Sequence, residues 1–151
     1  MADVIHEWCP MCRRSIKIYK RPITTTAAGA LIILWREYVL SHIREYRYLE
    51  RFLKSVWPGH TRGDETKLVH WDLLEHEEGR RNGRWRITER GIQFVEGLEV
   101  PRFAFIGPRN ECLGFSDGIY KPREMVDIED ALNTPFDKER LLSGDWLPPR
   151  K

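Results

Sequence analysis

Apolar positions recur along this chain with two different periods, and the changes of period mark out its elements. Ala27, Leu31, Leu34 and Tyr38 stand at helical spacing behind Thr24, Thr25 and Thr26, residues suited to capping, which predicts a helix from about residue 25 to residue 40. Inside it, Ala28, Gly29 and Ala30 leave room for a neighbour to approach closely. Ile43, Tyr46, Leu49, Phe52, Leu53 and Val56 form a second stripe behind Ser41, predicting another helix that Trp57-Pro58-Gly59 breaks. Leu68, Trp71 and Leu74 then step by three with Lys67 and His70 between them, as in a short amphipathic helix. The period next switches to two. Trp85 and Ile87 alternate with Arg84 and Arg86, giving a strand with one apolar and one basic face. Asn82-Gly83 precedes it, and both residues accept the positive φ of a type I′ hairpin turn. Thr88 can cap a following helix and Gly97 can end it. Upstream, Ile16 and Ile18 alternate with Lys17 and Tyr19 in a basic strand that stops at Pro22. Downstream, residues 100–106 and 112–115 read as a second hairpin, 116–122 as a loop, 126–132 and 137–142 as short acidic helices, and 146–151 as an extended tail.

Helix, basic-tipped hairpin and helix over residues 64–97 make the plan of a winged helix-turn-helix. The expected fold class is therefore α+β: a winged helix-turn-helix domain with an N-terminal cysteine turn and a C-terminal β-hairpin plus short acidic helices. Its segments are residues 1–22 (cysteine turn and strand), 23–97 (winged helix-turn-helix) and 98–151 (hairpin and acidic helical extension).

Charge sharpens this picture by its distribution more than by its total. The chain of 151 residues carries a formal net charge of only +2. Residues 1–110 hold 19 Lys and Arg against 14 Asp and Glu, whereas residues 111–145 hold 4 against 9. An asymmetric field of this kind orients a protein on a polyanion. No secretory leader is expected from MADVIHEW, and the longest apolar run, 27–34, is too short to span a bilayer. Three cysteines, an odd number, do not make a disulfide framework, so a soluble protein of a reducing compartment with no membrane partner is expected.

Cys9-Pro10-Met11-Cys12 places two thiols on a tight turn. Such a pair serves either a zinc knuckle, which bends the chain so that two thiolates take adjacent corners of a tetrahedron, or a dithiol redox site. A redox pair belongs at a helix N-terminus within a βαβ unit, and the residues after Cys12 are basic and strand-like instead. A structural Zn2+ held by Cys9 and Cys12 is thus preferred to redox chemistry, with two structural thiols and no metal as the other reading. Zinc needs four ligands, and no spacing selects among His6, His42, His60 and Cys112 for the rest. Cys112, in the apolar ECLGF, reads as a small core residue.

Residues 68–97 resemble the end of MarR-type winged-helix regulators, through Leu73-Leu74-Glu75, Asn82 to Ile87, and Thr88-Glu89-Arg90-Gly91. Nearly the whole chain is similar to a group of small phage and prophage proteins, mostly of unassigned function. The shared elements are Cys9 to Cys12, Ala30 to Arg36, Lys67 to Trp71, Gly83 to Val95, Val100-Pro101, Leu113 to Ser116, and Phe136-Asp137. The resemblance implies a winged-helix fold and a phage context, hence the cytoplasm of a bacterial host, but no particular reaction.

On this reading Thr66, Lys67 and His70 face a major groove while Arg80, Arg81, Arg84 and Arg86 bring the hairpin tip to duplex DNA. Little helix precedes Leu68, and Asp64 and Glu65 place negative charge at its start, so phosphates are expected to be contacted more than base edges. The plainer reading is a solvated hairpin whose arginines pair with Glu75, Glu77 and Glu78. Arg44, Arg47, Arg51 and Lys54 likewise read as a solvated helix face before phosphate contacts. The alternative function is a phage-encoded protein-binding module that engages a host protein, to be favoured if Trp57 or Trp146 lies on the surface. Catalysis is not expected: no phosphate-cradling glycine loop and no nucleophile–base spacing is present, and His70 and His76 do not share a helical face. Oligomeric state is left open.

Overall fold

The computed structural model describes residues 3–8, 15–60, 65–78, 83–119 and 121–149. In chain order the first elements are β1 (Asp3–Trp8), β2 (Ser15–Pro22), α1 (Thr25–Ser41), β3 (Arg47–Tyr48) and α2 (Leu49–Val56). A 3-10 helix (Glu65–Trp71), β4 (Leu74–His76), β5 (Arg84–Ile87) and α3 (Glu89–Val95) follow. The chain then continues through β6 (Val100–Pro101), β7 (Phe103–Ile106), β8 (Cys112–Phe115), β9 (Met125–Val126), α4 (Ile128–Leu132) and α5 (Lys138–Ser143). The class is α+β.

Helix α1 is the axle. Thr24 is extended and its hydroxyl accepts from the Ala27 N–H at 3.1 Å, which starts the helix. His42 ends it in the left-handed region (φ 62°), donating its N–H to the Tyr38 carbonyl at 2.7 Å. Every residue from Ala27 to Trp35 is buried, so this helix is enclosed on all sides and has no polar face over that span. Gly29 permits the closest approach. A Cβ there would stand 2.5 Å from Trp57 Cη2 and 3.0 Å from Pro148 Cβ, so the α2 terminus and the C-terminal tail both lie against it. The indole N–H of Trp57 donates to the Pro148 carbonyl at 3.1 Å.

The strands form three antiparallel sheets, ordered β1-β2-β7-β8, β3-β5-β4 and β6-β9. The four-stranded sheet draws its strands from both ends of the sequence: Tyr19 pairs with Ile106 and Arg21 with Ala104. In the three-stranded sheet the register sets Leu74 opposite Ile87, both buried in the core.

Several expectations are corrected here. The stripe behind Ser41 does not form one helix, because residues 43–46 are irregular and Arg47–Tyr48 pair with Trp85–Arg84. The aromatic and β-prone Tyr46-Arg47-Tyr48 finds a strand partner, and Ser41 bonds back to Glu37 O at 2.7 Å instead of capping a second helix. The steps of three at Glu65, Leu68 and Trp71 are the repeat of a 3-10 helix, and these are its buried residues. Asp72, at φ 59°, then turns the chain so that Leu74 begins a strand. Glu77 donates its N–H to Arg84 O, which pairs the two strands up to those positions. Gly83 does take a positive φ, 73°, while Asn82 lies outside the described residues. Strand β1 had no counterpart in the sequence reading, and Cys112 is exposed on the edge strand β8, not in the core.

Candidate functional site

The outer face of the three-stranded sheet carries two parallel rows of aromatic, arginine and carboxylate. Tyr48 is paired with Arg84, whose guanidinium lies 5.7 Å from the Tyr48 ring and 3.1 Å from Glu77 Oε2. Arg84 also donates to the Tyr46 carbonyl at 3.2 Å. In the second row Arg86 lies 4.4 Å over the Tyr46 ring and donates through Nε to Glu75 Oε1. Arg44 reaches that same carboxylate at 3.7 Å and donates to Ile87 O. The cause is register: Glu75 stands opposite Arg86, and the alternation of β5 sends Arg84 and Arg86 to one side while Ile87 is buried on the other. Each arginine is therefore held between a ring and a carboxylate, and the side chains remain 29–33% exposed.

Beside these rows, Tyr48, Glu50, Arg51, Lys54 and Gly83 line an open groove of about 330 Å³. Arg51 stacks on Tyr48 at 5.3 Å and Lys54 pairs with Glu50 at 3.1 Å. Arg47 pairs with Glu45 and lies over the Phe52 ring. Arg80 and Arg81 lie outside the described residues.

The 3-10 helix presents Thr66 and Val69 outward, with Lys67 and His70 half-buried to one side. Lys67 opens onto a groove shared with Arg21 and Asn110. The pKa of His70 is lowered, first by burial and then by the neighbouring Lys67 charge, with the nearby Asn110 side chain acting in the opposite sense. Its imidazole is consequently neutral at pH 7. Arg90, at the start of α3, donates through Nε to the Trp71 carbonyl and so caps the 3-10 helix. The described hairpin and helix residues thus fall into two places, the sheet face (Arg84, Arg86) and the 3-10 helix (Thr66, Lys67, His70).

Cys9 and Cys12 lie outside the described residues, and nothing of the His6 side chain is described. His42 is exposed at the end of α1, and burial raises the pKa of the exposed-edge thiol of Cys112. His60 is fully enclosed, 3.3 Å from Glu65 Oε1 and stacked on Trp57. Trp57 is itself buried and Trp146 is half-buried, stacked on Phe136, so neither offers a surface anchor. The acidic C-terminal residues have local work: Asp127 and Asp130 form a capping box on α4, Asp137 caps α5, and Glu129 accepts from Phe136 N. The sequence does not single out the tyrosines of the rows: Tyr46 falls on a stripe at helical spacing and Tyr48 falls off it.

No protein-family model matches the chain, and no curated protein or solved structure is similar to it.

Proposed function

We propose that this chain is a winged-helix module that holds duplex DNA by its phosphates, using the β4–β5 hairpin as the wing and the 3-10 helix beside it. One observation carries the reading: helix, strand, helix, short helix and hairpin follow one another, and β5 inserts between β3 and β4. That strand order is the one a winged helix has, with Arg84 and Arg86 on β5 and Arg80 and Arg81 shortly before it in the sequence. Among the described residues the outward ridge of the 3-10 helix is Thr66 and Val69, so phosphate contact without sequence preference is the expected mode.

The carboxylates of the rows compete with DNA for the same guanidiniums. Exposed ion pairs of this type are worth roughly 0–1 kcal/mol, little enough for a phosphate to displace them at low salt. Binding of a mixed-sequence duplex, followed by fluorescence anisotropy at two salt concentrations, tests this. Arg81→Ala and Arg84→Ala should each weaken binding, while Glu77→Gln should strengthen it by releasing Arg84. Absence of duplex binding by the unaltered protein at low salt would overturn the proposal.

The engagement of Arg84 and Arg86 by Glu77 and Glu75, together with the 41% exposure of Val69, favours a second reading, a phage-encoded module that binds a host protein. A stoichiometric partner captured from host lysate after nuclease treatment would select it. The proposed structural zinc at Cys9 and Cys12 is tested separately, by metal content and by the effect of a chelator on the unfolding midpoint.

A further inference from the structure

We infer that the groove between the 3-10 helix and the four-stranded sheet is a phosphate-binding site. It has a volume of about 180 Å³ and is lined by Lys67 from the 3-10 helix, Tyr19 and Arg21 from β2, and Asn110 with Gly107 and Pro108 from the β7–β8 turn. Every polar side chain in that lining is a donor or carries one: an ammonium, a guanidinium, a phenol and an amide. Among the described residues no carboxylate is part of that lining; that of Glu111, which stands against Gly107 beside it, is engaged by the Arg109 N–H. Among the described residues neither Arg21 nor Lys67 makes an ion pair, in contrast to the hairpin arginines.

The groove is also preorganised. The Arg21 guanidinium lies 5.2 Å over the Tyr19 ring, which restricts it. The turn is closed by Asn110 N–H donating to Gly107 O at 3.0 Å and by Gly107 N–H donating to Glu111 O at 2.9 Å. Arg109 N–H donates to Glu111 Oε2 at 2.7 Å, so these backbone donors are already used and the ligand must be met by the side chains. Asn110 sits in the left-handed region at φ 62°, at the corner of that turn. A planar carboxylate is satisfied by one arginine fork; donors arriving from three elements suit a tetrahedral group with acceptors on all sides. A phosphate fits that description.

Two carriers share this chemistry, a nucleic-acid phosphodiester and a free phosphomonoester. The first rests on the DNA reading above; the site itself does not. The full chain is titrated with adenosine monophosphate while the 107–110 amides that carry an N–H (Gly107, Arg109 and Asn110) are followed by NMR, and duplex affinity is measured against salt for the wild type, Lys67→Arg and the Arg21→Ala/Lys67→Ala pair. Loss of two phosphate contacts should reduce the log–log salt slope by about 1–2, with Lys67→Arg close to wild type. That result supports the site with a phosphodiester. Shifts of the 107–110 amides by the mononucleotide, absent from the double variant, support it with a free phosphomonoester, even if the wild type binds no duplex and the DNA reading fails. The wild-type titration needs no variant, so a misfolded double variant does not block the test. A silent titration together with an unchanged salt slope overturns the inference, as does an acidic peptide that shifts those amides where the mononucleotide does not.

Discussion

Trp57 meets α1 at the one position where a side chain is missing, Gly29, and its indole N–H reaches the C-terminal tail. Gly29→Ala would force a methyl into that ring, and overpacking of this kind costs roughly 1–3 kcal/mol. Trp57→Ala leaves a cavity instead, for roughly 3–5 kcal/mol, and also frees the Pro148 carbonyl. Urea unfolding of both variants distinguishes the two effects. His70 supplies a pH dependence of known sign. Its folded pKa lies below the unfolded value of 6.5, so the unfolded chain binds more protons in that interval. Its contribution to stability is full above pH 6.5 and is lost as pH falls through the folded pKa. His70→Gln should flatten the stability profile in that window, and chemical denaturation between pH 5 and pH 8, on the order of one histidine titration, reads it.

At the scale of elements, Thr88 is where the hairpin, the 3-10 helix and α3 are joined. Its hydroxyl accepts from Gly91 N at 2.9 Å and donates to Asp72 O at 2.6 Å, while its N–H donates to Leu73 O. Thr88→Ala removes a cap and leaves the Asp72 carbonyl short of a donor, a loss of about 1–2 kcal/mol expected in the unfolding free energy. Both this cap and that of α1 were legible in the sequence, since a Ser/Thr cap is a local device. The strand pairing of Tyr46–Tyr48 was not, because a residue stripe suits helix or strand equally until its partner is known, and the partner is Trp85–Arg84. The spacing of Leu68 and Trp71 is helical, but Leu74, the third residue of that stripe, begins β4; the strict step of three is the sign of the tighter turn. The basic hairpin and the pairing of its arginines with Glu75 and Glu77 were both legible; which arginine meets which carboxylate depended on the Glu75–Arg86 register.

For the molecule as a whole, the candidate phosphate groove was beyond sequence reading because it is assembled from residues 19–21, 67 and 107–110. Those segments are brought together by the β2–β7 pairing and by the packing of Trp71, whose indole donates to Pro101 O at 2.8 Å and whose ring faces Phe115. The tail is equally non-local: Trp146 stacks on Phe136, which meets Trp35 edge-on, and Pro148 closes over Trp57. Deleting residues 145–151 should therefore destabilise the chain by roughly 3 kcal/mol or more through lost apolar burial and a freed indole N–H, seen as a lower thermal midpoint.

The pairing of β2 with β7 has a consequence for how the protein is made. On the ribosome β2 emerges long before residues 103–106 exist, so its hydrogen-bonding edge waits unpaired through most of translation. Lys17, Lys20 and Arg21 then act as gatekeepers, repelling the same segment on neighbouring nascent chains until the proper strand arrives.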